Sequence, residues 1–313
     1  MSANIIRQIE SLLRPVPSWF TVAVLLLLPG LLHAQQYNNP GIMQNPVMHT
    51  PQNYKGRYFN IGSFVLRPLL NVAAEWHDNV YYQNSNPSSD TIYHFQPGLE
   101  LNSTWSRHSL ALGVRSDIAR FSDNTSEDYE DVVLDLNARI DVKTGKYFTV
   151  QGVASSLHED RSSPEDVDGI QPTKFDNNSL GLGYHHRFNR LTAALTVNKA
   201  NFSYDNNYSQ DGELIDNSDR DRSRETYNLK LEYLVRPQRS VFLGFGWNEV
   251  AYDQASDDAG FARNSEGYSL LGGVAFDISD LLTGDLWLQY LEQTYDDPRF
   301  SDNDDIGFGM GLE

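Results

Sequence analysis

The amino-acid sequence predicts an all-β fold: a transmembrane antiparallel up-and-down β-barrel of about twelve strands. Three observations carry that prediction. The first is period-two alternation sustained over long segments. From Asp131 to Lys143, the residues Val132, Leu134, Leu136, Ala138, Ile140 and Val142 share one face. Asp131, Asp135, Asn137, Arg139, Asp141 and Lys143 share the other, with Val133 as the exception. Side chains alternate sides along a strand, so one face meets an apolar medium and the other meets polar groups. Such segments offer roughly ten or more residues, enough to cross a bilayer at about 45° of tilt, whereas globular strands average about 5–6. The second observation is that short and long connections alternate without a break. The third is that Trp76, Tyr93, Trp105, Tyr147, Phe188, Tyr227 and Trp247 lie near strand ends, where interfacial girdles belong. A soluble β-sandwich also alternates, but none of these three features favours it.

Taken in order, residues 1–34 read as a secretory signal peptide. Arg7 and Arg14 precede an apolar run from Trp19 to Leu32, and a small residue, Ala34, marks the cut. The exported chain is expected in the outer membrane. Residues 35–60, rich in Asn, Gln, Pro and Tyr and without periodicity, read as a flexible periplasmic leader. Residues 61–313 form the barrel. Its first strand sets Phe64, Leu66, Leu70, Val72, Ala74 and Trp76 against Arg67, Asn71, Glu75 and His77. Next, Tyr93, Phe95, Leu99 and Leu101 oppose His94, Gln96, Glu100 and Asn102, and Leu110, Leu112, Val114 and Ile118 oppose Ser109, Arg115 and Asp117. After the Asp131–Ser156 hairpin, Leu180, Leu182, Tyr184 and Phe188 oppose Ser179, His185 and Arg187. Further rows run through Leu191–Val197, Tyr227–Val235, Val241–Trp247 and Tyr268–Ile278. The strand from Asp285 to Tyr295 is less clean, with Trp287 opposite Leu286 and Leu288. The last begins at Ile306 and stops in mid-pattern at Leu312-Glu313, which reads as a fragment lacking its closing strands.

Short turns fall near Ser106–His108, Thr144–Lys146, Asn189, Arg236–Arg239 and Ser279–Gly284. Long polar loops fall at 78–90, 123–131, 159–176, 205–224, 253–266 and 296–305. Those six loops hold 28 of the 42 acids against seven bases. A formal charge of −18 argues against nucleic acid as a partner, which calls for a basic face. The absence of cysteine rules out disulfides and thiol chemistry. A mean hydropathy of −0.49 beside 12% aromatic residues suits a barrel with a polar interior better than a helical membrane protein.

The inward face is expected to line a lumen with Arg67, Glu75, Glu100, Arg115, Asp117, Asp135, Arg139, Asp141, His185, Arg187, Lys230 and Glu232. Two readings fit this mixture of signs. One is a charged pore lining that guides a hydrophilic solute; the other is a set of paired charges bracing a closed lumen. Acidic loops invite divalent cations, but Asp166-Val167-Asp168-Gly169 fails as a calcium loop, since Pro164 and Phe175 stand where ligands are needed. Diffuse Ca²⁺ or Mg²⁺ binding at the outer surface remains as an expectation. His185 and His186 are neighbours on a strand, so they face opposite sides and cannot share a metal. No G-x-S-x-G or H-E-x-x-H motif is present, and neither catalysis nor a cofactor is expected.

Several stretches together resemble a known family: Leu66-Arg67-Pro68, Glu75-Trp76-His77-Asp78-Asn79-Val80, Ser89-Asp90-Thr91, Pro97-Gly98-Leu99 and Trp105-Ser106-Arg107-His108. His186-Arg187-Phe188-Asn189-Arg190-Leu191 and Asp219-Arg220-Asp221-Arg222 extend the likeness. The chain after Gly62 is similar to the outer-membrane β-barrel porin family found with exopolysaccharide biosynthesis clusters. The resemblance implies an outer-membrane barrel in contact with lipid, exporting or passing a hydrophilic, polysaccharide-type solute alongside export machinery. It supplies no catalytic residues. The alternative is a non-conducting structural or adhesive surface barrel whose acidic loops bind partners or divalent cations.

Overall fold

The computed structural model of the protein describes residues 58–279 and 282–312. The signal segment and the leader up to residue 57 lie outside the described residues. Twelve long strands follow a three-residue first one, β1 (Phe59–Ile61), which occupies the end of the stretch read as leader. They are β2 (Phe64–His77), β3 (Asp90–Ser103), β4 (Ser109–Phe121), β5 (Tyr129–Lys143), β6 (Lys146–His158), β7 (Lys174–Phe188) and β8 (Leu191–Tyr204). After a small hairpin, β9 (Asn207–Tyr208) and β10 (Leu214–Ile215), come β11 (Arg222–Arg236), β12 (Arg239–Tyr252), β13 (Ser265–Ser279), β14 (Leu282–Tyr295) and β15 (Asn303–Leu312). The long strands run from 10 to 15 residues.

All thirteen strands outside the small hairpin form one antiparallel sheet in chain order, an up-and-down topology. Among the described residues, β2 and β15 do not pair with each other, so no closing seam is seen. The pleat separates the two faces as the alternation requires. One face exposes Leu70, Val72, Trp76, Leu134, Leu182, Leu243 and Leu288, the apolar exterior of a barrel. The few buried apolar side chains belong to the other face. Ala200, Phe202 and Tyr204 of β8 pack there with Phe175 of β7, beneath the long loops.

The short connections owe their tightness to residues in the left-handed region: Gly145 at φ +73°, Asn189 at 54° and Gln238 at 68°. Gly145 also lies against Arg187, whose Cβ would sit 3.0 Å from an added Cβ. Register shifts beside the β5–β6, β11–β12 and β13–β14 turns let hairpins this short close with the strands' native twist.

Two differences from the sequence reading have physical causes. The strands extend one to three residues further into the long-loop end, so that Lys174, Asp176, Arg222 and Arg224 are strand residues. At that height the contrast reverses, with Phe175 and Tyr204 turned to the inner face and Lys174 and Asp176 to the outer, so the lipid-facing pattern no longer marks the strand. Tyr147 is not a girdle residue: it is buried on the inner face, stacked on His185 at 4.5 Å with the Arg139 guanidinium 3.6 Å above its ring. Its parity within β6 decides its side, and nearness to a strand end does not. Of the other girdle candidates, Trp76, Tyr93, Trp105, Phe188 and Tyr227 are exposed, and Trp247 is half-buried against Tyr227 on the same face.

Candidate functional site: the inner wall and the loop cap

Strand register sorts the twelve candidate residues into three groups on the inner face. In the first, Arg67 lies opposite Glu100 and pairs with it at 3.2 Å, while Arg115 reaches Asp135 at 3.0 Å. Gly113 stands between Glu100 and Asp135, and the Asp135 carboxylate fills the space a side chain there would need: an added Cβ would lie 2.4 Å from Oδ1. In the second group, at the long-loop end, Asp117 lies opposite Asp131. Each takes its own histidine, His94 at 3.1 Å from Asp117 and His158 at 3.0 Å from Asp131. Glu75 stands 4.0 Å from the far ring nitrogen of His94, and Tyr129 stacks on His158 at 3.6 Å. The third group lies toward the short turns. One register row runs Asp141, Tyr147, His185, Ala194, Lys230; the next carries Arg187 and Glu232 on either side of Thr192. Arg139 pairs with Asp141 at 2.8 Å, and Lys230 stands 3.9 Å from Glu232.

Sequence reasoning left His94, Asp131, His158 and Tyr129 out of the candidate set. Only the β3–β4–β5–β6 register brings them beside Asp117. His185 and His186 do face opposite ways: His186 meets the Tyr184 hydroxyl at 2.9 Å and stacks on Phe188. Trp287 and Phe242 are apolar intrusions on the inner face, lying over the gaps left by Gly309 and Gly273.

The wall charges are paired but wet. Arg67, Arg115 and Arg139 keep 50%, 46% and 46% of their side-chain surface accessible. Pairing in solvent of this kind contributes little stability, about 0–1 kcal/mol.

The six long loops form the opposite environment. They are tied to one another in sequence, each to the next. The Asp90 carboxylate accepts backbone N–H bonds from Ser122, Asp123 and Asn124, joining the first to the second. Arg161 of the third donates two hydrogen bonds to Glu127 of the second, at 2.7 and 2.9 Å, and also meets Asp166 and the Gly169 carbonyl. Arg220 of the fourth reaches back to Glu159, lies over Tyr204 at 4.2 Å, and stands 3.7 Å from Glu165. Gln254 of the fifth donates to Ser218, and Ala262 of the fifth donates to Asp297 of the sixth. Arg161 and Glu127 are 8% and 2% exposed. Burial pushes the Glu165 carboxyl up to about 7 and that of Asp221 up to about 6. Among the described residues, no three His, Asp or Glu side chains converge on a metal position. Loop acids here satisfy arginines and backbone N–H groups.

The chain is similar in part to solved outer-membrane structures. It matches the NanC porin at 9% identity over 78% of this chain and 100% of that one, with a TM-score of 0.35. It matches a Pseudomonas aeruginosa FadL homologue at 10% identity over 74% and 66%, with a TM-score of 0.41. It matches OmpT of Vibrio cholerae at 8% identity over 82% and 99%, with a TM-score of 0.43. No curated protein matches it. The family model described as "Putative beta-barrel porin 2" matches residues 53–309, most of the chain, and the protein belongs to that family.

Proposed function

We propose that the protein is an outer-membrane channel that passes or exports a hydrophilic, polysaccharide-type solute. The observation that carries this reading is the contrast between the two faces of one sheet. An apolar exterior suited to lipid backs a wall whose arginines remain about half accessible. A sugar chain suits such a surface, because paired charges offer hydrogen bonds to hydroxyls without gripping the solute along the wall by net charge. No catalytic step belongs to this reading. The test is single-channel conductance in planar bilayers, with added neutral oligosaccharide. Discrete openings that the sugar blocks are expected, and a folded barrel that carries no current would contradict the proposal.

The second reading is a structural or adhesive surface barrel, and the knitted loops favour it: buried ion pairs make a cap firm enough to present a fixed surface. Deleting the part of the 205–224 loop that precedes β11, residues 205–221, then removes partner binding and leaves the sheet assembled.

A further inference from the structure

The short-turn end of the sheet differs in charge from the loop end. The β5–β6, β7–β8 and β11–β12 turns are flanked by Lys143 and Lys146, Arg187 and Arg190, and Arg236 and Arg239, with no acid in any of these turns. Beside them a cleft of about 1010 Å³ opens between the β3–β4 and β5–β6 turns, lined by Arg107, His108, Arg139, Asp141, Lys143 and Lys146. Asp141 is the only carboxylate lining it, and Arg139 already holds it at 2.8 Å. The His108 ring accepts the Asp141 backbone N–H at 3.0 Å, which fixes that side of the cleft. Arg107 donates to the Val142 carbonyl. Among the described residues, neither Arg107, Lys143 nor Lys146 is within ion-pair distance of an acid. The cleft is therefore a concave, open surface carrying surplus positive charge, where low-dielectric walls focus the field on an arriving anion.

We propose that this cleft is an anion-receiving vestibule, which takes the carboxylate or phosphate groups of a solute at the short-turn mouth. It rests on the reading of the inner face as a wetted passage and adds a substrate class to it. The acid-rich loops at the far end repel the same ligand. An anionic solute is thus concentrated at one mouth only, and the two ends of the channel are not equivalent. Phospholipid headgroups offer the same phosphate chemistry, so the source of the anion has to be separated experimentally.

The experiment is calorimetric titration of the full chain with inorganic tripolyphosphate and, separately, trigalacturonate. The protein is held in nanodiscs of phosphatidylcholine alone or with added phosphatidylglycerol. Binding is read without current, so a non-conducting protein that still binds would sink the channel reading and leave the vestibule standing. Both anions are expected to bind, more weakly at high salt. Lys143→Gln/Lys146→Gln should weaken binding about three- to tenfold, as loss of two solvent-exposed charge contacts implies. Asp211→Asn, an exposed loop change at the other end, should leave it intact. Heat-modifiable gel mobility checks folding, and Arg107→Gln serves if the double variant misfolds. Absence of binding, indifference to these substitutions, or an equal loss with Asp211→Asn overturns the proposal. So does complete suppression by phosphatidylglycerol, which would give the patch to lipid.

Discussion

The wall and the cap use the same chemistry in opposite settings. Arg115–Asp135 and Arg161–Glu127 are both short arginine–carboxylate pairs, at 3.0 and 2.7 Å, yet the first arginine is 46% exposed and the second 8%. In the wall, water competes for every charge, so pairing is cheap to make and cheap to break. In the cap, each partner has given up its hydration, and removing one strands the other in a dry site. The lesson is that a salt bridge contributes little to stability in one half of this molecule and holds the structure together in the other. Burial, and not distance, tells them apart.

The largest effect should come from breaking a dry pair. Arg161→Ala leaves Glu127 and Asp166 buried without their cation, at a cost of about 3–5 kcal/mol. Limited proteolysis should then cut the loop around residues 159–173 well before any strand; unchanged protection would erase the distinction between cap and wall. Next comes the lipid face. Leu134→Arg should impair assembly by roughly 2–4 kcal/mol near mid-bilayer, while Val133→Arg, facing inward, should be tolerated. Folding yield into liposomes measures both, and equal damage would contradict the assigned faces.

A pH titration read at the loops probes the buried carboxyls of the cap. Glu165 and Asp221 have folded pKa values raised above their unfolded ones, so each binds its proton more tightly when the cap is closed. The stability they favour is present below the ordinary carboxylate range and is lost as pH rises toward about 7 and about 6 respectively. Hydrogen-exchange protection in the loops, corrected for intrinsic rates, should fall several-fold between acid and neutral pH. Glu165→Gln with Asp221→Asn should flatten that dependence, and a profile unchanged by the substitutions would refute the assignment. The smallest stability effect belongs to the wall. Arg67→Gln should cost under about 1 kcal/mol yet shift the channel's reversal potential in a salt gradient. A large fall in stability with no change in selectivity would place Arg67 with the structural pairs.

The strands could be read from the sequence because an apolar medium outside and a polar one inside imprint period two, as Val132 to Val142 demonstrates. That imprint ends where the apolar side chains turn inward, as Phe175 does between Lys174 and Asp176, so the loop-side ends of β7 and β11 do not stand out in the sequence. The candidate wall residues were recognisable as a face but not as partners. Arg67 finds Glu100 across thirty-three positions only through the β2–β3 register. His94 and His158 were overlooked for the same reason. The inward Tyr147 and Phe242 break the polar rule and show that an aromatic near a strand end carries no label for its side. The cap lay furthest from reach. Its loops have no period, and the bond from Arg220 to Glu159 depends on how two aperiodic segments pack.

The central claim is that water lies on one side of each strand and lipid on the other. Because the chain has no cysteine, adjacent single substitutions on β5 test it directly: Asn137→Cys on the inner face and Ala138→Cys on the outer. In proteoliposomes, a charged, membrane-impermeant methanethiosulfonate reagent should label position 137 and leave position 138 untouched. Equal labelling of the two, or labelling of 138 alone, would contradict the account.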